Sequence, residues 1–218
     1  MTSKNGIIEK TRAHVESVLS DEGSGHDWWH VFRVWRTARK LAEIEKADGT
    51  IVELAALLHD IADWKFHDGD ETAGPRQARQ WLKQIGTPPD TTDRVCEIIA
   101  TLSFKGAGVS TPMHTLEGEV VQDADRLDAI GALGIARAFA YGGHKNRLMY
   151  HPDQKPEMHQ SFEEYKNNRG HTINHFYEKL LLLKDRMNTR AGKRMAAERH
   201  RFMEHYLHQF FREWNGES

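Results

Sequence analysis

An imidazole stands beside a carboxylate where a strongly apolar segment ends, at His59-Asp60. Burying either group without a partner costs free energy, so the pair either hydrogen-bonds locally or serves as a pair of ligands. A second imidazole, His30, precedes Val34 and Leu41 by four and eleven residues, which places the three on one helix face. That face is apolar, so we expect His30 to point into the core, where it needs a partner.

Carboxylates are concentrated in Asp123-Ala124-Asp125-Arg126-Leu127-Asp128. On a helix, Val121, Asp125 and Asp128 share one face, and carboxylates at a buried face require cationic compensation. Two histidines and two aspartates from three helices are a suitable ligand set for a divalent cation, since imidazole with carboxylate suits Mn, Fe, Co, Ni or Zn. The alternative, a set of hydrogen-bonded polar pairs, stays open at this point.

Such a metal site could support hydrolysis of a phosphate group. A bound divalent ion lowers the pKa of water and offsets charge on a phosphoryl oxygen. Asp63 follows His59 by four residues and could accept the proton from water or orient a ligand, although a capping role is equally compatible with its position. Lys65 and Arg33 lie close in sequence to the proposed ligands and could hold phosphate oxygens.

The elements that must position these groups are predicted to be helices almost everywhere. Thr50 and Glu53 have the spacing of a capping box that opens an apolar helix suited to the centre of a bundle. The predicted helices span residues 4–20, 28–47, 51–62, 71–85, 92–102, 115–128, 131–141, 161–188 and 191–214.

The composition is that of an ordinary globular protein and excludes several classes. The 218 residues carry 30 Lys+Arg and 32 Asp+Glu, a near-neutral balance that argues against a nucleic-acid coat or a polybasic membrane anchor. One cysteine, Cys96, excludes an intramolecular disulfide framework. We predict one all-α domain over residues 1–218, in which 142–170 forms a long loop and the helices of 171–214 pack on the core.

The motifs resemble those of a known family. His30, His59-Asp60 and Asp125 are similar to the H…HD…D pattern of the HD-domain metal-dependent phosphohydrolase superfamily. Further segments resemble its bacterial YedJ/YpgQ group, and together they cover most of residues 24–214. They are His26-Asp27-Trp28-Trp29-His30, Arg33-Val34, Ala55-Ala56-Leu57-Leu58-His59-Asp60, Lys65-Phe66, Glu117-Gly118, Asp123 to Gly131, His175-Phe176-Tyr177-Glu178-Lys179-Leu180 and Met187-Asn188-Thr189.

The resemblance implies a helical bundle of the HD-domain type with a metal site at its centre. It further implies one divalent ion (Mn, Ni, Co, Fe, Mg or Zn, with Mn favoured) and cleavage of nucleoside triphosphates to the monophosphate and pyrophosphate. The predicted site residues fall into three groups. They are the metal ligands His30, His59, Asp60 and Asp125; the catalytic residues Asp63 and Lys65; and the substrate-binding residues Arg33, Arg126, His144, Lys145, His26 and Asp27.

Several of these residues also have a purely structural explanation. Asp27 is equally well explained as a helix cap, and His144 and Lys145 as part of a solvated loop rather than a lid over phosphates. Four aromatic residues of one predicted helix could stack on a nucleobase, but core packing is the better expectation for most of them. They are Trp28, Trp29, Phe32 and Trp35.

Other functions remain open from the sequence alone. A phosphomonoesterase would release phosphate without pyrophosphate, and alarmone-like or cyclic nucleotides are further candidate substrates. A non-catalytic nucleotide-binding regulator is also compatible with the ligand set. We expect a cytoplasmic protein with a small-molecule nucleotide as partner and without nucleic acid or membrane, and the C-terminal helices could bury a homodimer interface.

Overall fold

The structure is a computed structural model that describes residues 4–20, 27–62, 70 and 72–217. Within these ranges every regular element is a helix, which confirms the predicted all-α class. The helices are α1 (Lys4–Leu19), α2 (Trp28–Glu45), α3 (Gly49–Leu58), α4 (Ala73–Gln84), α5 (Pro89–Thr101), α6 (Leu116–Asp128), α7 (Gly131–His144), α8 (Phe162–Lys166), α9 (Thr172–Glu178), a 3-10 helix (Leu180–Arg186) and α10 (Arg190–Trp214). Within the described ranges, no helix is long and apolar enough to cross a membrane.

The chain divides into two compact units. The first contains Met1–Phe104 and Ser110–Asp125, and the second contains Lys105–Val109 and Arg126–Ser218. The division falls inside α6, between Asp125 and Arg126, so α6 contributes residues to both units. That the whole chain folds as one domain stays a prediction.

In the first unit, α3 is the central helix, as its apolar sequence predicted. It packs against α1, α2 and α5, and its residues from Val52 to Leu58 are almost completely buried except for Glu53. The predicted cap is wrong in position, because the N-cap is Asp48, whose side chain accepts a hydrogen bond from the main-chain N–H of Thr50 (2.9 Å). A carboxylate suits this place because the helix N-terminus carries partial positive charge.

Glu117, in the first turn of α6, ties three helices of the first unit together. Its Oε1 accepts a hydrogen bond from the main-chain N–H of Asp48 (3.0 Å), and its Oε2 accepts one from Arg94 on α5 (3.0 Å). The side chain is mostly buried, so these bonds satisfy a charge that would otherwise be costly. Glu117 therefore fixes the start of α3 relative to α6, the two helices that precede or carry predicted metal ligands.

In the second unit, α10 packs on α7 and on the 3-10 helix, and α9 packs on both of these elements as well. The single helix predicted for 161–188 is wrong, since this stretch contains α8, α9 and the 3-10 helix. Side chains interrupt the helix by accepting hydrogen bonds from main-chain N–H groups. The Asn168 side chain accepts one from Gly170 (2.6 Å), and the His171 ring accepts one from Asn174 (3.1 Å). The predicted loop begins at Lys145 and not at residue 142, because α7 continues to His144.

Candidate metal centre

His30 lies in the first turn of α2, where the helix cap holds its main chain. The Asp27 side chain is the N-cap and accepts a hydrogen bond from the His30 N–H (2.8 Å). Val34 and Leu41 share the buried face as predicted, and the His30 side chain is completely buried. The cap and the apolar face together direct one imidazole into the core of the first unit.

His59 and Asp60 follow the last residue of α3. His59 is the C-cap of that helix and keeps a helical conformation, and Asp60 lies in the turn that follows. The His59 Nδ1–H donates to the carbonyl oxygen of Ala56 (2.8 Å). A carbonyl oxygen only accepts, so this bond places the proton on Nδ1 and leaves Nε2 with a free lone pair. The main chain of α3 thereby sets the tautomer that a metal ligand requires.

The two imidazoles and the Asp60 carboxylate converge. The Nε2 atoms of His30 and His59 are 3.2 Å apart, and the Asp60 Oδ2 lies 3.3 Å from the first and 3.6 Å from the second. One ligand atom from each of the three residues lies within 4.8 Å of the others. The structure thus brings together three residues that are separated by up to thirty positions in the sequence.

Asp125 adds a second carboxylate from α6. Its Oδ1 lies 3.5 Å from the His30 Nε2 and 3.9 Å from the His59 Nε2. Side-chain exposure rises from 0% for His30 and 2% for His59 to 12% for Asp60 and 33% for Asp125. These four residues, which we call the four-residue cluster, therefore have a buried imidazole side and a solvent-facing carboxylate side.

The donor set of the four-residue cluster fits a divalent transition-metal ion. Bonds of about 2.1 Å to one ion place neighbouring ligand atoms about 3.0–3.4 Å apart, close to the shorter distances observed here. Both carboxylates and the His59 Nε2 are acceptors, and the His30 Nε2 can supply at most one proton to them. A divalent cation would satisfy the converging lone pairs and compensate the two negative charges, whereas an all-oxygen shell would have indicated Mg or Ca.

The other predicted site residues are distributed differently. Asp27 acts as the helix cap described above, and Arg33 is half-buried on α2. Arg126 is buried in the second unit, where it donates to the main-chain oxygen of Arg186. The roles of all three in substrate binding stay predictions.

Two further candidates, His144 and Lys145, lie in the second unit at the end of α7. Both are exposed, and the Lys145 ammonium lies 5.7 Å from the centre of the Tyr141 ring. Three predicted residues, His26, Asp63 and Lys65, lie outside the described residues. Sequence reasoning missed the Ala56 carbonyl, because a main-chain group leaves no residue-type signal beyond its position three residues before the histidine.

Comparison with known proteins places this geometry in a family. A family model described as HD domain matches residues 28–130, a range that contains the whole four-residue cluster. The curated protein YpgQ of Bacillus subtilis (strain 168) is 43% identical over 202 residues, which cover 92% of this chain and 90% of YpgQ. Similarity therefore extends well beyond the residues of the cluster.

Solved structures agree with the sequence match. A protein from Lactobacillus plantarum has a TM-score of 0.86 and 37% identity, with 96% of this chain and 97% of that chain covered. An HD-superfamily hydrolase from Bacillus thuringiensis has a TM-score of 0.76 and 44% identity, with coverage of 99% and 100%. The structure of B. subtilis YpgQ in complex with ADP has a TM-score of 0.78 and 38% identity, with coverage of 98% and 97%. As the motifs predicted, this chain belongs to the HD-domain family and resembles its bacterial YpgQ group.

Proposed function

We propose that this protein is a metal-dependent phosphohydrolase that converts (deoxy)nucleoside triphosphates to the monophosphate and pyrophosphate. The observation that carries the proposal is the convergence of two imidazoles and two carboxylates in the four-residue cluster. Hydrolysis is supported by the B. thuringiensis relative, an HD-superfamily hydrolase with 44% identity. The nucleotide class is supported by the complex of YpgQ with ADP.

His30, His59, Asp60 and Asp125 would hold one divalent ion, for which we favour Mn²⁺. When bound, this ion supplies a Lewis acid that lowers the pKa of water and offsets charge on phosphate oxygens. The carboxylates compensate the charge, and the His59 ring is held in place by its bond to the Ala56 carbonyl. Substrate would approach from the side of Asp125, the most exposed of the four side chains.

In the proposed reaction, a water oxygen forms a bond to the α-phosphorus while the bond from that phosphorus to the bridging oxygen breaks. Pyrophosphate leaves with the electron pair of the broken bond, and the proton of the water passes to Asp63. Arg33, one helical turn after His30, and Lys65 hold phosphate oxygens and so reduce repulsion between substrate and carboxylates. The roles of Asp63 and Lys65 rest on sequence spacing.

The test is a product assay on metal-free protein to which Mn, Mg, Co, Ni or Zn is returned singly. A panel of nucleoside mono-, di- and triphosphates is supplied, and pyrophosphate and phosphate are measured separately. We expect monophosphate and pyrophosphate in equal amounts, only with metal, and no turnover in Asp60→Ala.

The matched control is Asp185→Ala, which removes a carboxylate that is 79% exposed in the second unit. This variant should keep both metal and turnover. Release of phosphate alone would replace the proposal with a phosphomonoesterase. Nucleotide binding without turnover under any metal would instead favour a regulatory module.

A further inference from the structure

One exposed aromatic residue, which directly precedes His30 in the sequence, is not used by the proposed mechanism. Trp29 is 61% exposed, although its neighbours in the first turn of α2, Trp28 and His30, are 5% and 0% exposed. Core packing was expected for most of the four aromatic residues of this helix. Trp28 and Trp35, which is 6% exposed, are packed in this way, and Trp29 is the exposed exception among the four. A large apolar ring facing solvent next to a predicted metal ligand is a candidate contact for a ligand.

Trp29 is supported from behind by other aromatic rings. The Phe32 ring, one turn further along α2, meets Trp29 edge to face with ring centres 5.9 Å apart. Phe32 in turn contacts the buried rings of Trp28 (5.8 Å) and Trp35 (6.0 Å). Edge-to-face pairs restrict ring orientation, so this row holds the Trp29 indole as a platform while more than half of its surface stays open.

The surroundings of the platform suit an anion that carries a ring. The Arg36 guanidinium lies 5.8 Å from the centre of the Phe32 ring, and half-buried Arg33 follows Trp29 by one turn. The Asp27 cap fixes the turn that contains both Trp29 and His30. Trp29 and His30 are consecutive residues of this turn, so the exposed indole is presented by the same helical turn that carries a predicted metal ligand.

We infer that Trp29 is the stacking platform for the nucleobase of the substrate. This inference rests on the proposed function, from which it takes the nucleotide class of the ligand. Stacking on an indole is tolerant of base identity, because every base has a π-face. Trp29 therefore selects nucleotides over base-free polyphosphates and does not choose among the bases.

The experiment measures calorimetric binding of two probes, ADP and inorganic pyrophosphate, to Mn²⁺-loaded protein. Pyrophosphate has the same phosphate chain without sugar or base, so it reports the phosphate site alone. We expect Trp29→Ala to raise the Kd for ADP relative to that for pyrophosphate about tenfold, the usual range for loss of one base–aromatic stack. Trp29→Phe should restore most of the ADP affinity, since it keeps an aromatic face.

The matched control is Trp214→Ala, which removes a tryptophan that is 51% exposed in the second unit and should leave both Kd values unchanged. An unchanged Kd for ADP in Trp29→Ala, or equal weakening of both probes, would overturn the platform. Absence of ADP binding to the wild-type protein would overturn it too. A selective loss of ADP affinity in a protein that does not hydrolyse triphosphates would refute the proposed function and leave the platform standing.

Discussion

Two clusters bring histidines and carboxylates together in buried surroundings, one in each unit. In the four-residue cluster of the first unit, the lone pair of the His59 Nε2 faces the oxygens of two carboxylates. In the second unit, Glu178 is 1% exposed, and its carboxylate accepts hydrogen bonds from N–H groups of the protein. Its Oε1 accepts from the main-chain N–H of Glu157 (3.1 Å), and its Oε2 accepts from the Asn168 amide.

The two clusters differ in how many N–H donors the protein supplies to the carboxylates. Around Glu178, protein N–H groups already satisfy the carboxylate, and the His159 Nε2, 3.9 Å away, lies outside hydrogen-bond distance. In the four-residue cluster, the His59 Nε2 and two carboxylates converge with at most one proton from the His30 Nε2 between them, an arrangement that could hold a divalent cation. Proximity of histidine and carboxylate therefore does not by itself distinguish the two clusters, whereas the number of N–H donors that already meet the carboxylate does.

The largest effect should follow from removing one lone pair from the four-residue cluster. His59→Ala should reduce bound metal to near zero and lower kcat/KM at least about 100-fold, because even outer partners of metal ligands are worth 10–100-fold. Metal content by mass spectrometry and turnover of a nucleoside triphosphate measure the two effects. Full metal content in a folded His59→Ala protein would refute the ligand assignment.

The converse result is expected at Glu178. Glu178→Gln replaces one of the two carboxylate oxygens by an NH₂ group, so one of the N–H donors of Glu157 and Asn168 then faces another donor. The free energy of unfolding should therefore fall by about 1–3 kcal/mol. Denaturant unfolding measures this loss, and metal content should match that of the wild type. If Glu178→Gln lost metal while its stability stayed unchanged, the distinction between the two clusters would be wrong.

The sequence was sufficient to predict the helical class, the burial of α3 and the convergence of His30 with His59-Asp60, because each depends on periodicity or residue type. It did not predict the breaks in 161–188, where single side chains such as Asn168 and His171 capture main-chain N–H groups. Those bonds compete with helix formation at particular atoms, which a hydrophobic pattern does not record. Periodicity also did not indicate which of the four aromatic residues of α2 would be exposed, and the structure identifies Trp29 as that residue.

Asp27 tests the comparison inside the first unit, because its carboxylate accepts a hydrogen bond from the main-chain N–H of His30, one of the four residues of the cluster. Asp27→Ala should lower the free energy of unfolding by about 1 kcal/mol through loss of the N-cap. It should also weaken metal binding modestly, since the lost bond is to the His30 N–H. Asn is an equally good cap, so Asp27→Asn should behave like the wild type in metal titrations and thermal unfolding. A substrate KM that rises equally in both variants would instead support the predicted role of Asp27 in substrate binding.

The smallest effect concerns Asp70, an exposed carboxylate of the first unit that is satisfied by donors. Hydrogen bonds from the Thr72 hydroxyl and main-chain N–H, and then from Arg76, lower the pKa of Asp70 from 3.8 to about 2. A carboxyl whose folded pKa is depressed adds stability above its unfolded pKa and loses it as pH falls through the folded one. The contribution of Asp70 should therefore disappear between about pH 4 and pH 2, as followed by carboxyl NMR titration. Asp70→Asn should flatten the pH dependence of unfolding in this window, and an Asp70 that titrates near 3.8 would show that these donors do not hold the carboxylate in solution.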